Sequence, residues 1–177
     1  MVALILGSGF EPLEAVAPCD ILRRGGIEVC CASVGERLVE AGHGIRIEAD
    51  CTVAELDAEK LDMIVLPGGV QSILGSEETL ELIRRVYDEG KFVAAICAAP
   101  SILAKLGITD GRKATCYPGF EPKMGSAVMQ SCGAVRDGTV ITGRAAGSSE
   151  EFGLLLLEAL KGKAAAEKVA GEIVYSR

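Results

Sequence analysis

The chain has 177 residues, 49% of them hydrophobic and 24% charged, with no long biased tract, which predicts one globular domain over residues 1–177 rather than a disordered chain. A net charge of −7 and a pI near 4.9 argue against nucleic acid or a membrane surface as partner. No apolar run approaches the ~18 residues of a membrane span, and "MVALILGSGF" lacks a basic signal-peptide start, so a cytoplasmic protein is expected.

In chain order, "VALILG" is a short apolar run ending in glycine, as a strand buried on both faces requires. "EPLEAVAPCDILRRGG" has helical spacing at Leu13, Val16, Ala17 and Ile21, with Gly25 as its stop. "IEVCCASVG" reads as a second strand, and "RLVEAGHGIRIEADC" as a small hairpin turning at Gly42, His43 and Gly44. "LDMIVLPGG" is another buried strand. "SEETLELIRRVYDEG" predicts an amphipathic helix with Ser76 as N-cap and Gly90 as stop. "KFVAAI" is again a strand and "APSILAKLG" a short helix; "KATCYP" and the pair around Asp137-Gly138 supply later strands. "SSEEFGLLLLEALKG" predicts a helix opened by a capping box from Ser148 to Glu151, and "AAAEKVAGE" a terminal helix. Alternating strands and helices with short connections predict a flavodoxin-like three-layer α/β/α sandwich, its sheet mostly parallel with a small added β-hairpin.

Seven cysteines, an odd number without C-x-x-C spacing, and a single histidine argue against a disulfide scaffold and against zinc. Each cysteine reads by default as a small buried hydrophobe in a reducing compartment. Cys97 differs because it stands at a bend.

Ligands of open α/β sheets bind beyond the carboxyl ends of the strands. Three such bends carry unusual chemistry: "GSGFEPLEA" with Glu11 and Glu14, "LPGGV" with Gly68 and Gly69, and "AAICAAP" with Cys97. If strands 2–7, 61–66 and 91–96 are neighbours, all three face one crevice. The alanines around Cys97 suit a sharp strand-to-helix elbow, and Pro100 suits a first helical turn. A helix N-terminus there is expected to lower the thiol pKa from about 8.5 toward roughly 4–7. Glu14 is placed to share a proton with it, and the "PGG" bend to offer backbone N–H groups to an oxyanion. "GSGFEP" fails as a dinucleotide fingerprint, because Pro12 takes the third glycine's place and two glutamates would face the pyrophosphate.

At these residues the chain resembles the ThiJ/PfpI superfamily, in particular its DJ-one branch. The resemblance rests on "GFEPLEAVAPCDILRRGGIEV", "LDMIVLPGG", "AAICAAP", "KATCYP" and "ITGRAAGSSEEFGLLLLEAL", and runs nearly end to end. It implies a homodimer, Cys97 as nucleophile and oxidation-sensitive cysteine, Glu14 as its protonated partner, and Gly68, Gly69 and Ala98 as backbone donors. The activities it implies are a cofactor-free glyoxalase on α-oxoaldehydes such as methylglyoxal, and a deglycase on their adducts. A redox-sensing or chaperone role through a Cys97 sulfinate, in response to oxidative stress, is the alternative. Where some members carry a histidine before a proline, this chain has Tyr117 before Pro118, and a phenol is a poor base at neutral pH. The peptidase-like members place a histidine directly after the cysteine, where this chain has Ala98, so a peptidase is disfavoured. The resemblance also implies that the hairpin approaches the partner's pocket, so His43 reads either as a turn residue or as part of the neighbour's site. Arg144 reads as an organiser of pocket loops or as half of a salt bridge, and Cys116 as the other cysteine nearest the pocket.

Overall fold

The computed structural model describes residues 1–69 and 71–176. Among them the chain runs β1 (Val2–Leu6), α1 (Pro12–Arg24), β2 (Val29–Ser33), β3 (Leu38–Glu40), β4 (Arg46–Glu48), β5 (Cys51–Thr52), β6 (Met63–Leu66), α2 (Gln71–Leu74) and α3 (Glu77–Asp88). It continues through β7 (Phe92–Ile96), α4 (Pro100–Lys105), β8 (Lys113–Ala114), β9 (Val128–Met129), β10 (Ala134–Asp137), β11 (Val140–Gly143), α5 (Ser149–Lys161) and α6 (Lys163–Glu172).

The apolar runs read as strands sort their side chains by alternation. Val2, Leu4 and Leu6 of β1 join one core and Ala3 and Ile5 another, because successive strand residues point to opposite faces. β6 and β7 do the same, sending Met63, Val65, Ala94 and Ile96 one way and Ile64, Leu66, Val93 and Ala95 the other. A sheet apolar on both faces must be covered on both. The first face packs against α1, α5 and α6, and the second against α2, α3 and α4. Each fully buried large aliphatic contributes about 1.5–3 kcal/mol.

The sheet has the order β10-β11-β7-β6-β1-β2-β5, parallel throughout except for β10, which returns antiparallel on β11. This is the expected three-layer sandwich, and β3–β4 is the expected hairpin. Ser76 caps α3, its hydroxyl accepting from the Thr79 N–H at 3.2 Å, and Gly90 follows the helix with φ of +74°. Two local expectations change. The Ser148–Glu151 capping box does not form, since Ser148 accepts no bond; Ser149 instead donates to the Ala146 carbonyl at 2.8 Å. Residue 51 also leaves the hairpin and starts β5, which pairs with β2 at the sheet edge.

This strand order positions the crevice. β1 leads through α1 to β2 on one side, whereas β6 lies on the other side of β1 and leads to α2 and α3 on the opposite face. The chain therefore diverges between the carboxyl ends of β1 and β6, which is where open α/β sheets leave a gap for a ligand. β7 is the next strand along, and its end carries Cys97.

Candidate active site

Cys97 directly follows β7 in the left-handed region, with φ of +69°, a conformation that costs a non-glycine residue about 1–3 kcal/mol and persists only where its surroundings enforce it. Here both sides of the peptide are held. The Cys97 N–H donates to the Gly143 carbonyl at 3.0 Å, and the Cys97 carbonyl accepts from the Tyr117 N–H at 2.8 Å. The half-buried thiol is thereby turned out of the strand direction into the gap, as a nucleophile elbow requires.

Glu14 reaches the same place from α1. Pro12 starts that helix and Glu11 caps it, so Glu14 lies in the first turn, directed at the gap. It is 0% exposed. Its Oε2 accepts from the Gly68 N–H at 2.8 Å, while its Oε1 is buried with no hydrogen-bond partner among the described residues. Gly68 lies against both this carboxylate and the thiol. A methyl group on Gly68 would lie 2.5 Å from Glu14 Oε2 and 3.3 Å from Cys97 Sγ, so only glycine leaves the two groups in contact. The bends themselves are tied together: the Glu11 N–H donates to the Gly68 carbonyl at 3.1 Å, and Gly69, at φ of +91°, lies against Gly9 and Phe10.

The electrostatics follow from burial. Desolvation raises the Glu14 pKa, with the Gly68 N–H and Cys97 pulling it back and the Glu11 charge adding to the rise. Burial first, and then the neighbouring Glu14 carboxylate, push the Cys97 thiol up to about 12, against the pull of the Ala98 N–H. The expected lowering by a helix N-terminus is therefore corrected, for a local reason. α4 has six residues, and its leading N–H groups are already spent: Ala99 on Ile96, Ser101 on Ala98 and Ile102 on Ala99. Pro100 has none, so the Ala98 N–H alone is left to the sulfur. Because the Glu14 charge is the second cause of the rise, the thiolate is less disfavoured when a proton sits on Glu14, although burial still opposes it.

A raised folded-state pKa gives a contribution to stability that is full below the unfolded value of about 4.5 and is lost as pH rises through the folded value. Glu14→Gln cannot ionise and so does not incur this loss. Its melting temperature relative to wild type is expected to rise from pH 4.5 to pH 8; a difference that stays constant over that range would show that Glu14 is not held against ionisation.

The other expected residues distribute as follows. Gly68 spends its N–H on Glu14, so it positions the acid rather than facing an oxyanion. Gly69 N–H has no partner among the described residues, and Ala98 N–H points to the sulfur. Tyr117 meets Cys97 through its backbone; its ring is 47% exposed and packs edge-on against Phe120 at 6.3 Å. Cys116 is buried beside Met124, its thiol pushed up to about 11 by burial and Glu121. It shares a cavity of about 200 Å³ with Arg144, Glu121 and Gln130. Arg144 makes no ion pair among the described residues; its backbone N–H donates to the Gly133 carbonyl at 2.8 Å. His43 is 80% exposed at the hairpin tip, 3.6 Å from Glu11 Oε2. The sequence reading missed Gly143, whose carbonyl fixes the elbow, and the Glu11–His43 contact that joins the hairpin to the first bend. The "ITG" end of β11 was visible, but the parallel pairing that brings it beside β7 was not.

The model of the DJ-1/PfpI family matches residues 1–159. The chain is 36% identical over 179 residues to Protein DJ-1 homolog B of Arabidopsis thaliana, a match covering 98% of this chain but 41% of that longer protein. It is 33% identical over 147 residues to Deglycase PH1704 of Pyrococcus horikoshii, covering 81% of this chain and 89% of that one. Among solved structures, oxidized DJ-1 of Toxoplasma gondii superposes with a TM-score of 0.95 at 30% identity, over 99% of this chain and 98% of the other.

Proposed function

The chain belongs to the DJ-1/PfpI family, and on that premise we propose that it is a Cys97-dependent, cofactor-free enzyme of the glyoxalase and deglycase type, acting on α-oxoaldehydes or their adducts. The observation that carries the reading is the buried Glu14 carboxyl held by the Gly68 N–H against a cysteine on a strained elbow. The archaeal relative named as a deglycase supports it.

The chemistry begins with the thiol proton moving to Glu14, which frees the sulfur to attack the aldehyde carbon. The new S–C bond leaves a hemithioacetal oxygen for the backbone N–H groups of Gly69 and Ala98 to hold. That oxygen takes the proton back from Glu14, which then carries a proton from this carbon to its neighbour while the hydroxyl proton passes to the neighbouring carbonyl oxygen, turning the hemithioacetal into a thioester of the 2-hydroxy acid. Water cleaves the thioester, releasing the acid and restoring the thiol. Methylglyoxal and one water thus give lactate with no electron lost from the protein. For an adduct, the amine or thiol already joined to that carbon leaves when the protein's sulfur takes its place.

The test is consumption of methylglyoxal with matching lactate formation by the freshly reduced protein. Absence of turnover, in a protein whose Cys97 is shown to be a free thiol, would overturn the proposal. Weight would then move to the redox sensor, which the unpartnered Glu14 Oε1 favours, because a protonated carboxyl there can hydrogen-bond a sulfinate oxygen.

The proposal extends to a homodimer. Leu13 and Val16 on α1 and Ile45 on the hairpin stand exposed, and an apolar face of this kind suits a second copy. Such pairing gives His43 a neighbour's pocket to face. Sedimentation as a monomer at micromolar concentration would remove this part of the reading.

A further inference from the structure

We propose that Cys30 and Cys51 form a reversible intrachain disulfide, a second redox site of this protein that is separate from Cys97. Their sulfur atoms lie 3.0 Å apart, about 1 Å from the bonded distance of roughly 2.05 Å. The closeness comes from the sheet. β5 pairs in parallel with β2, with Cys51 beside Ala32 and Thr52 beside Ser33, which brings the Cys51 side chain next to that of Cys30.

The backbone around the pair is fixed from both strands. Asp50 N–H donates to the Cys31 carbonyl at 2.8 Å, the Cys31 N–H donates to the Asp50 carboxylate at 2.8 Å, and the Ser33 hydroxyl donates to the Cys51 carbonyl at 3.4 Å. The sulfurs therefore need to close only a short gap, on a frame already set. Both side chains are half-buried and β5 is an edge strand, so a small oxidant can reach them. A second pair, Cys19 and Cys31, meets across the gap between α1 and β2 at 3.9 Å. It is the wider of the two. In the sheet, β6 and β1 separate β2 from the strand that ends at Cys97.

Hydrogen peroxide is the oxidant the chemistry asks for. One thiol takes an oxygen as the O–O bond breaks, giving a sulfenic acid and one water. The second sulfur displaces the hydroxyl, forming the S–S bond and releasing a second water. Two electrons pass from the two sulfurs to one peroxide, and a dithiol returns them on reduction. The bridge closes the segment from residue 30 to residue 51, which includes the β3–β4 hairpin. That hairpin touches the first bend of the active site, where the Gly9 N–H donates to Glu40 and the Gly42 N–H to Phe10, both at 2.8 Å. Oxidation at the sheet edge would thus tighten the support of the Glu11–Glu14 turn.

The experiment treats reduced wild type and Cys97→Ala with hydrogen peroxide, blocks remaining thiols and maps the peptides, with fragmentation between Cys30 and Cys31. The expected result is a Cys30–Cys51 bridge in most chains of both proteins, absent in Cys30→Ser, kept in Cys31→Ser and reversed by dithiothreitol. The oxidised form should melt higher than the reduced form by roughly 5 °C or more, a gain that Cys30→Ser lacks. Finding Cys30 and Cys51 as free thiols or sulfinates, or bridged instead to Cys19, to Cys31 or between chains, would overturn the proposal. Loss of the bridge in Cys97→Ala alone would also overturn it, because the site would then depend on Cys97.

Discussion

Cys97→Ala is expected to lower methylglyoxal turnover by at least about 10³-fold while leaving the fold intact, because it removes the atom proposed to form the covalent intermediate. Alanine keeps both backbone hydrogen bonds of the elbow, to Gly143 and from Tyr117, and deletes the sulfur alone. It also keeps the strain, since a Cβ remains at φ of +69°. Cys97→Gly separates the two effects. Without a Cβ the left-handed conformation is relaxed, and this variant should be more stable than Cys97→Ala by about 1 kcal/mol even after the entropic cost of glycine. Both variants should be inactive. Assays of lactate formation beside denaturant unfolding of the three proteins read both quantities. More than a tenth of wild-type turnover in Cys97→Ala would remove Cys97 as nucleophile, and a Cys97→Gly protein weaker than Cys97→Ala would mean that the elbow is not strained.

Gly69→Ala should show the largest loss of stability. Its Cβ would stand 2.5 Å from the Gly9 carbonyl oxygen and 2.5 Å from Phe10 Cα, which are backbone atoms with no rotamer to escape into. The positive φ of +91° adds strain of its own. The two together give about 3 kcal/mol or more, hence a drop in melting temperature of roughly 10 °C for a chain of this length. Gly9→Ala is the matched control. It also has a positive φ, +79°, but its Cβ meets nothing within 4 Å, so it carries the strain without the collision. Should the two variants melt within about 3 °C of each other, the packing of the second bend on the first would be looser than described. Gly68→Ala differs again, because its Cβ meets the Glu14 carboxylate and Cys97 rather than backbone. The carboxylate can swing, so stability falls less than in Gly69→Ala while the alignment of acid and thiol is lost.

The residues of the site were legible because each has a local signature: an apolar run that ends, a bend made of small residues, and a chemically reactive group at the bend. What those residues do to one another was less legible. The destination of the Gly68 N–H, taken by Glu14, depends on how close β1 and β6 come, which no window of sequence contains. The thiol was expected to be lowered by its helix, but that depended on whether the leading N–H groups of α4 were free, and neighbouring carbonyls take them. Ser148 and Glu151 had the right spacing for a capping box, yet the turn before α5 left Ser148 outside the geometry needed. The cysteines off the elbow were read one at a time as buried hydrophobes. Four of them meet in pairs: Cys19 and Cys31 because α1 packs on β2, and Cys30 and Cys51 because a two-residue strand, too short to carry a periodic signal, docks on β2. Side-chain chemistry and strand existence were local properties; pairing and proton sharing are products of strand order.

That strand order also sets a timetable. β1 can meet β2 once α1 has formed between them, but it meets β6 only after the hairpin and β5 have been made and the chain has crossed the sheet. Contacts separated by that much chain close late, since their loop entropy must be overcome first. The gap between β1 and β6 is thus expected to close after the β1–β2 pair has formed. Damage there belongs to the unfolding arm of the kinetics rather than the folding arm, so Gly69→Ala should unfold faster while refolding at nearly the wild-type rate. The pocket proposed to perform the chemistry would then also affect how long each molecule lasts.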